Sequence, residues 1–120
     1  TMVIKNNKIY EKPKNNEDAK RMIKELQGSQ HEVITSICVL IEENEKYSEY
    51  TDFDKASVCI KSMSDEEIEN WIQTGEALDK AGAYAIQSKF CVFVEKITGN
   101  YTTVVGLPMH KLYDAIKKYI

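Results

Sequence analysis

Apolar positions along this chain recur with two different periods. Between Asn15 and Gly28 they fall at Ala19, Met22, Ile23 and Leu26, the i, i+3, i+4 spacing that lines one face of a helix. Asn15 supplies a cap, Asp18 an acidic first turn, and Gly28 a stop. Ser64-Asp65-Glu66-Glu67 is a capping box, and Ile68, Trp71 and Ile72 behind it form the inward face of a second helix that Gly75 closes. Pro108 suits the first turn of a last helix, which is expected to bury Leu112, Ala115, Ile116 and Tyr119.

The other period is that of strands. Residues 2–4 and 8–10 flank Asn6-Asn7, a pair that tolerates the positive φ angles of a tight hairpin, and Pro13 ends the ribbon. Residues 33–40 are apolar or small at nearly every position, which predicts a central strand covered on both faces. Residues 42–45 read as a solvated acidic turn, after which residues 46–50 and 56–60 continue the sheet in antiparallel fashion. Residues 90–94 and 102–105 are two further predicted strands, joined by a turn at Thr98-Gly99-Asn100. No repeat, linker or low-complexity stretch interrupts the pattern. It predicts one α/β domain over residues 1–120, with a mixed, partly antiparallel sheet flanked by helices.

Composition narrows the function classes. With 42% hydrophobic residues and a net charge of -3, the chain can bury a core and is not a disordered segment. Arg21 is its one arginine and its lysines are scattered, so a nucleic-acid partner is not expected; any phosphate ligand requires positive charge gathered locally. Cys38, Cys59 and Cys91 are odd in number, far apart and set in apolar runs, the pattern of reduced, buried thiols in a cytosolic protein. No run is long enough to span a bilayer and no signal-peptide pattern opens the chain, so the expectation is a soluble cytoplasmic protein with no membrane partner.

The richest stretch chemically is Asp79-Lys80-Ala81-Gly82-Ala83-Tyr84-Ala85-Ile86-Gln87. Its small residues let backbone approach a ligand closely, or equally make a tight turn between packed elements. Lys80 can meet an anion, and Gln87 carries the paired donor and acceptor that can match a nucleobase edge.

Taken in order, Thr1-Met2-Val3, Glu11-Lys12-Pro13, His31, the Asp79-to-Gln87 run and Gly106-Leu107-Pro108 resemble the Maf family of nucleoside triphosphate pyrophosphatases, whose fold is Maf/inosine-triphosphatase-like. The likeness runs from end to end. It implies hydrolysis of a nucleoside triphosphate to the monophosphate and pyrophosphate, the house-cleaning of nucleotide pools, with a divalent metal (Mg²⁺, or Mn²⁺) as cofactor and a homodimer as the assembly. Thr1 and Gln87 match the positions that mark the subgroup acting on dTTP and UTP, and Lys12 matches a substrate-binding lysine. Asp79 and Lys80 are open to two readings, a loop-locking ion pair or a substrate loop reaching the triphosphate. Thr1 could equally be a frayed terminus, Lys12 a surface lysine before a helix, and Gln87 a loop-to-backbone link. Tyr84 is expected to pack, and His31 and His110, with no metal-ligand spacing and no Ser or Cys nearby to form a triad, are expected to have no chemical role.

The chain departs from the family pattern in several places. A Ser-x-x-Arg-Arg phosphate loop and the aspartate proposed as proton acceptor are expected upstream of Thr1, so the resemblance implies a C-terminal portion with no catalytic aspartate and little or no activity by itself. Ala85 and Ser88 stand where glycines are usual, Ser29 where a basic or polar residue is frequent, and Ala56 where Thr is common. The family's association with septum formation and division arrest supplies an alternative, a non-catalytic interaction or regulatory protein.

Overall fold

The computed structural model describes residues 1–120 and contains five strands: β1 (Met2–Lys5), β2 (Lys8–Tyr10), β3 (Gln30–Glu43), β4 (Lys46–Ile60) and β5 (Val94–Thr98). They pair in the order β2-β1-β3-β4-β5, each pairing antiparallel. The α/β class with flanking helices is as expected, and the sheet is antiparallel throughout instead of mixed. Asn6 and Asn7 turn the first hairpin with φ of 51° and 64°, and Asn44 and Glu45 turn the long β3–β4 hairpin with 52° and 63°.

Four helices follow from local signals and one-sided apolar faces: α1 (Asn16–Leu26), α2 (Asp65–Gln73), α3 (Tyr101–Val105) and α4 (Met109–Ile116). The Asp18 N–H donates to the Asn15 side chain at 2.8 Å, and α1 buries Ala19, Met22, Ile23 and Leu26. Both halves of the α2 capping box form, with Glu67 N–H donating to Ser64 Oγ at 3.1 Å and Ser64 N–H to Glu67 Oε1 at 2.9 Å. Each such cap is worth about 1 kcal/mol.

Register sets the core. Val3 lies opposite Val33, which lies opposite Ala56, while His31 lies opposite Val58. These side chains share the face on which Ile23, Leu26, Ile68 and Trp71 close. Phe90 is fully buried at its centre, its ring 5.2 Å from Trp71, 5.0 Å from Tyr84 and 5.4 Å from Phe93. The same face carries α3 and α4: Thr35 Oγ1 donates to Thr103 O at 2.8 Å, and Lys111 pairs with Asp52 at 3.2 Å.

Residues 33–40 are therefore covered on one face, not two. Val33, Thr35 and Ile37 are buried while Ser36, Cys38 and Leu40 are exposed, because every helix packs on the same side. The cysteines are free as expected, but Cys38 and Cys91 are exposed and Cys59 is half-buried; the strand alternation turns Cys38 and Cys59 onto the open face. Residues 102–105 form α3 instead of a strand. Asn100 caps them, its side chain accepting from Thr102 N–H at 2.8 Å, and this local bond with the burial of Thr103 outweighs the strand preference of Thr-Thr-Val-Val. Ser88 likewise caps a 3-10 turn over Lys89–Phe93, so the last strand begins only at Val94. On α4 Ala115 is buried and Leu112 and Ile116 are half-buried; Tyr119 lies beyond its end, in a 3-10 turn, and is exposed.

Candidate functional site

Thr1, Lys12, Asp79, Lys80 and Gln87 come from three segments of the chain and line one hollow of about 240 Å³. Its apolar wall is made by Val3, Val33, Tyr84, Ile86, Val104 and Val105. Two cations and one carboxylate face it, a local positive excess on a chain whose net charge is -3.

Close contact fixes the path of the 79–87 loop. At Gly82 (φ 73°) a Cβ would lie 3.0 Å from Val3 Cγ2, so any larger residue would be strained and would press on β1. Ala83, fully buried, also takes a left-handed angle (φ 66°), a conformation that costs a non-glycine residue about 1–2 kcal/mol. Its neighbourhood holds it there: Trp71 Nε1 donates to Ala83 O at 2.8 Å, and Gly82 N–H donates to Glu11 O at 3.3 Å. Neither Ala85 nor Ser88 has a positive φ, so alanine and serine fit where glycines are usual, and Ser88 Oγ donates to Ala85 O at 2.6 Å.

Behind the loop, Tyr84 pairs with His31 of β3, Tyr84 Oη and His31 Nε2 lying 2.5 Å apart with the rings edge to face. Burial, with a smaller push from Lys5, holds the His31 pKa down at about 4, so the imidazole is neutral; burial also drives the Tyr84 hydroxyl upward. His31 Nδ1 is buried without a partner. Tyr84 thus packs, as expected, and also forms wall.

Thr1 is tied down, not frayed. Thr35 Oγ1 spends its hydrogen on Thr103 O, so Thr1 Oγ1 is the donor in the 3.0 Å contact between the two threonines. Thr103 Oγ1 in turn donates to Asp54 Oδ2 at 2.6 Å, which joins the start of the chain to α3 through a buried relay.

Lys12 is exposed and belongs to none of the protein's salt bridges. It does not abut a helix start: α1 begins at Asn16, its end is filled by the Asn15 side chain, and Glu17 and Asp18 make that turn acidic. Lys12 therefore offers its own charge, without help from the helix dipole. Asp79 and Lys80 lie 3.6 Å apart, exposed enough for the pair to add little stability. Gln87 is exposed. It lines the hollow, and its side chain makes no hydrogen bond within the protein.

Val104 and Val105 reach the hollow only because residues 102–105 are helical and not the expected strand; Asn100 before the run and Gly106 after it are the cap signals that mark the helix. As for a metal, the hollow's single carboxylate, on Asp79, is paired with Lys80, and no group of three or more His, Cys, Asp or Glu side chains converges anywhere. These residues alone do not make a metal site.

A protein-family model described as "Maf-like protein" matches residues 1–119. A dTTP/UTP pyrophosphatase of Thermoanaerobacter sp. (strain X514) is 48% identical over 118 residues, covering 98% of this chain and 61% of the relative. One of Alkaliphilus metalliredigens is 50% identical over 121 residues, covering 99% and 60%, and one of Clostridium perfringens 43% identical over 119 residues, covering 99% and 61%. The chain thus spans about three-fifths of the length of these curated relatives.

Proposed function

The chain belongs to the Maf family, and from that membership together with the charge pattern of the hollow we propose that it forms the nucleotide-holding part of a nucleoside triphosphate pyrophosphatase acting on dTTP and UTP. The observation that carries the reading is the meeting of Lys12 and Gln87 on one hollow, with Lys80 and Thr1 beside them. Lys12 and Lys80 supply charge for phosphate oxygens, and charge-assisted bonds of this kind are about twice as strong as neutral ones. Gln87 presents donor and acceptor together to the imide edge of thymine or uracil; a base that leaves half of that pairing unmet is rejected. Thr1, tied through Thr35 to α3, holds that wall in place.

The reaction is attack of water on the α-phosphorus. The bond to the bridging oxygen breaks, pyrophosphate leaves with its electron pair, and the water's proton goes to a base. The hollow's lone carboxylate is engaged by Lys80, so hydrolysis is proposed for a protein of the relatives' full length, and nucleotide binding for these residues. Mg²⁺, with Mn²⁺ as the substitute, is proposed to enter on the substrate's phosphates. The homodimer and the cytoplasmic location are proposals too; no helix is long and apolar enough to cross a membrane.

The test is pyrophosphate release from dTTP, UTP and 7-methyl-GTP, with Mg²⁺, by this chain and by the chain joined to the part of the Thermoanaerobacter relative that it does not match. The joined form is expected to act on dTTP and UTP, and the chain alone at a small fraction of that rate. Activity on 7-methyl-GTP alone overturns the base assignment. One observation favours a second reading, a non-catalytic interaction protein linked to division arrest: the open sheet face exposes Met2, Ile9, Leu40 and Phe53. Stable self-association, with no triphosphate raising the melting temperature, would decide for it.

A further inference from the structure

The hollow of about 240 Å³ is smaller than the roughly 300–1,000 Å³ typical of sites that enclose a whole ligand. A second, more open hollow of about 530 Å³ adjoins it, and Ile86 and Gln87 line both. The helical form of α3 places its side chains along both. Tyr101, Val104 and Val105 stand at i, i+3 and i+4, so they share one helix face. Val104 and Val105 face the first hollow and Tyr101 the second, with the Ile86-Gln87 segment in the wall of each.

The two halves differ in charge. Lys12 and Lys80 against Asp79 leave the first half cationic, whereas Lys96 and Glu95 cancel in the second. Apart from Gln87 and Ser88 the rest of the second half is apolar, with Ile97, Val94 and the ring of Tyr101, which is 51% exposed although aromatic. A nucleotide is divided in the same way, into an anionic chain and an uncharged planar base.

We propose that the triphosphate occupies the first hollow and the base the second, with the edge of the base on Gln87 and its face on Tyr101. This deepens the nucleotide reading of the site and rests on it. Tyr101 is then a binding residue for the base that contributes through its ring, not its hydroxyl. Stacking on an aromatic side chain tolerates any base, so Tyr101 adds affinity while Gln87 chooses.

Two probes separate the halves: dTTP and inorganic tripolyphosphate, titrated calorimetrically into this chain. Tyr101→Ala is expected to weaken dTTP roughly 5- to 150-fold, the range set by the loss of one stacked base, and to leave tripolyphosphate unchanged. Tyr101→Phe should retain dTTP binding, while Lys12→Ala should weaken both probes. A second readout needs no variant. Cys91 is exposed and lines the second hollow, whereas Cys38 and Cys59 lie on the open sheet face. Saturating dTTP should slow alkylation of Cys91 relative to Cys38, and tripolyphosphate should not. Unaltered dTTP affinity in Tyr101→Ala, or no protection of Cys91, overturns the proposal while the nucleotide reading stands. Failure of the unsubstituted chain to bind either probe overturns both.

Discussion

The inner and outer halves of the β3–β4 ladder are continuous in hydrogen bonding and opposite in environment. In the inner half, residues such as His31, Val33, Val58 and Ile60 bury alternate side chains under α1 and α2. In the outer half Glu42 to Glu49 are exposed on both faces, and Tyr47 is 73% exposed. The projection gives the molecule extents of 57 × 27 × 27 Å and a radius of gyration of 16.5 Å, against about 14 Å for a rounded chain of this length. Backbone pairing can thus continue where the hydrophobic contribution has ended, and local stability should fall along one unbroken pair of strands. Every residue of the proposed site is attached to the covered half.

The widest separation between the halves should come from the aromatic centre. Phe90→Ala is expected to destabilise the fold by about 3–5 kcal/mol, measured by urea denaturation, since the ring is fully enclosed by Trp71, Tyr84 and Phe93.

Next comes pH. His31 titrates near 4 in the folded chain against 6.5 unfolded, so between those values the unfolded state binds more protons. Stability from this group is present above about pH 6.5 and is lost as pH falls towards 4, by about 3 kcal/mol in all. His31→Gln should flatten that part of the profile. A later loss belongs to Glu25, held down at about 2 chiefly by Lys8, and it falls between about pH 4.5 and 2.

A smaller effect follows from Tyr84→Phe, which keeps the ring and strands His31 Nε2. The cost of an unmet buried group is about 1–3 kcal/mol, and the inner half should show it as faster amide exchange at Ala83 and His31. At the small end, Leu40→Ala and Tyr47→Ala on the outer half should change stability by no more than about 0.5 kcal/mol. A large loss at either would show that the projecting strands carry structure of their own.

Legibility in the sequence followed the same division. Where a local bond decides the conformation, as at Asn15, Ser64 and Asn6-Asn7, the residues announce the element, and the apolar faces of α1 and α2 were read position by position. Where the outcome depends on what packs above, they do not. Ile34 and Leu40 are as apolar as Val33 and Ile37, and nothing in residues 33–40 says that every helix will settle on one side. Thr102 to Val105 carry strand-forming side chains, and their helix follows from a cap at Asn100 and the burial of Thr103 against β3. Lys12 and Gln87 were singled out through family likeness; their common hollow comes from the close contact of Gly82 with Val3, a tertiary contact. Tyr84 was legible as a packing residue; the burial of His31 and its bond to Tyr84 were not.

The central claim is that a nucleotide sits where Lys12, the 79–87 loop and α3 meet. The most direct test is titration of dTTP into the isotopically labelled chain, with amide resonances followed residue by residue. Shifts should concentrate at Lys12, Lys80 to Gln87 and Tyr101 to Val105, with the outer hairpin from Glu42 to Glu49 unmoved. Shifts confined to the open sheet face or the hairpin tip, with Lys12 and Gln87 silent at saturation, would contradict it.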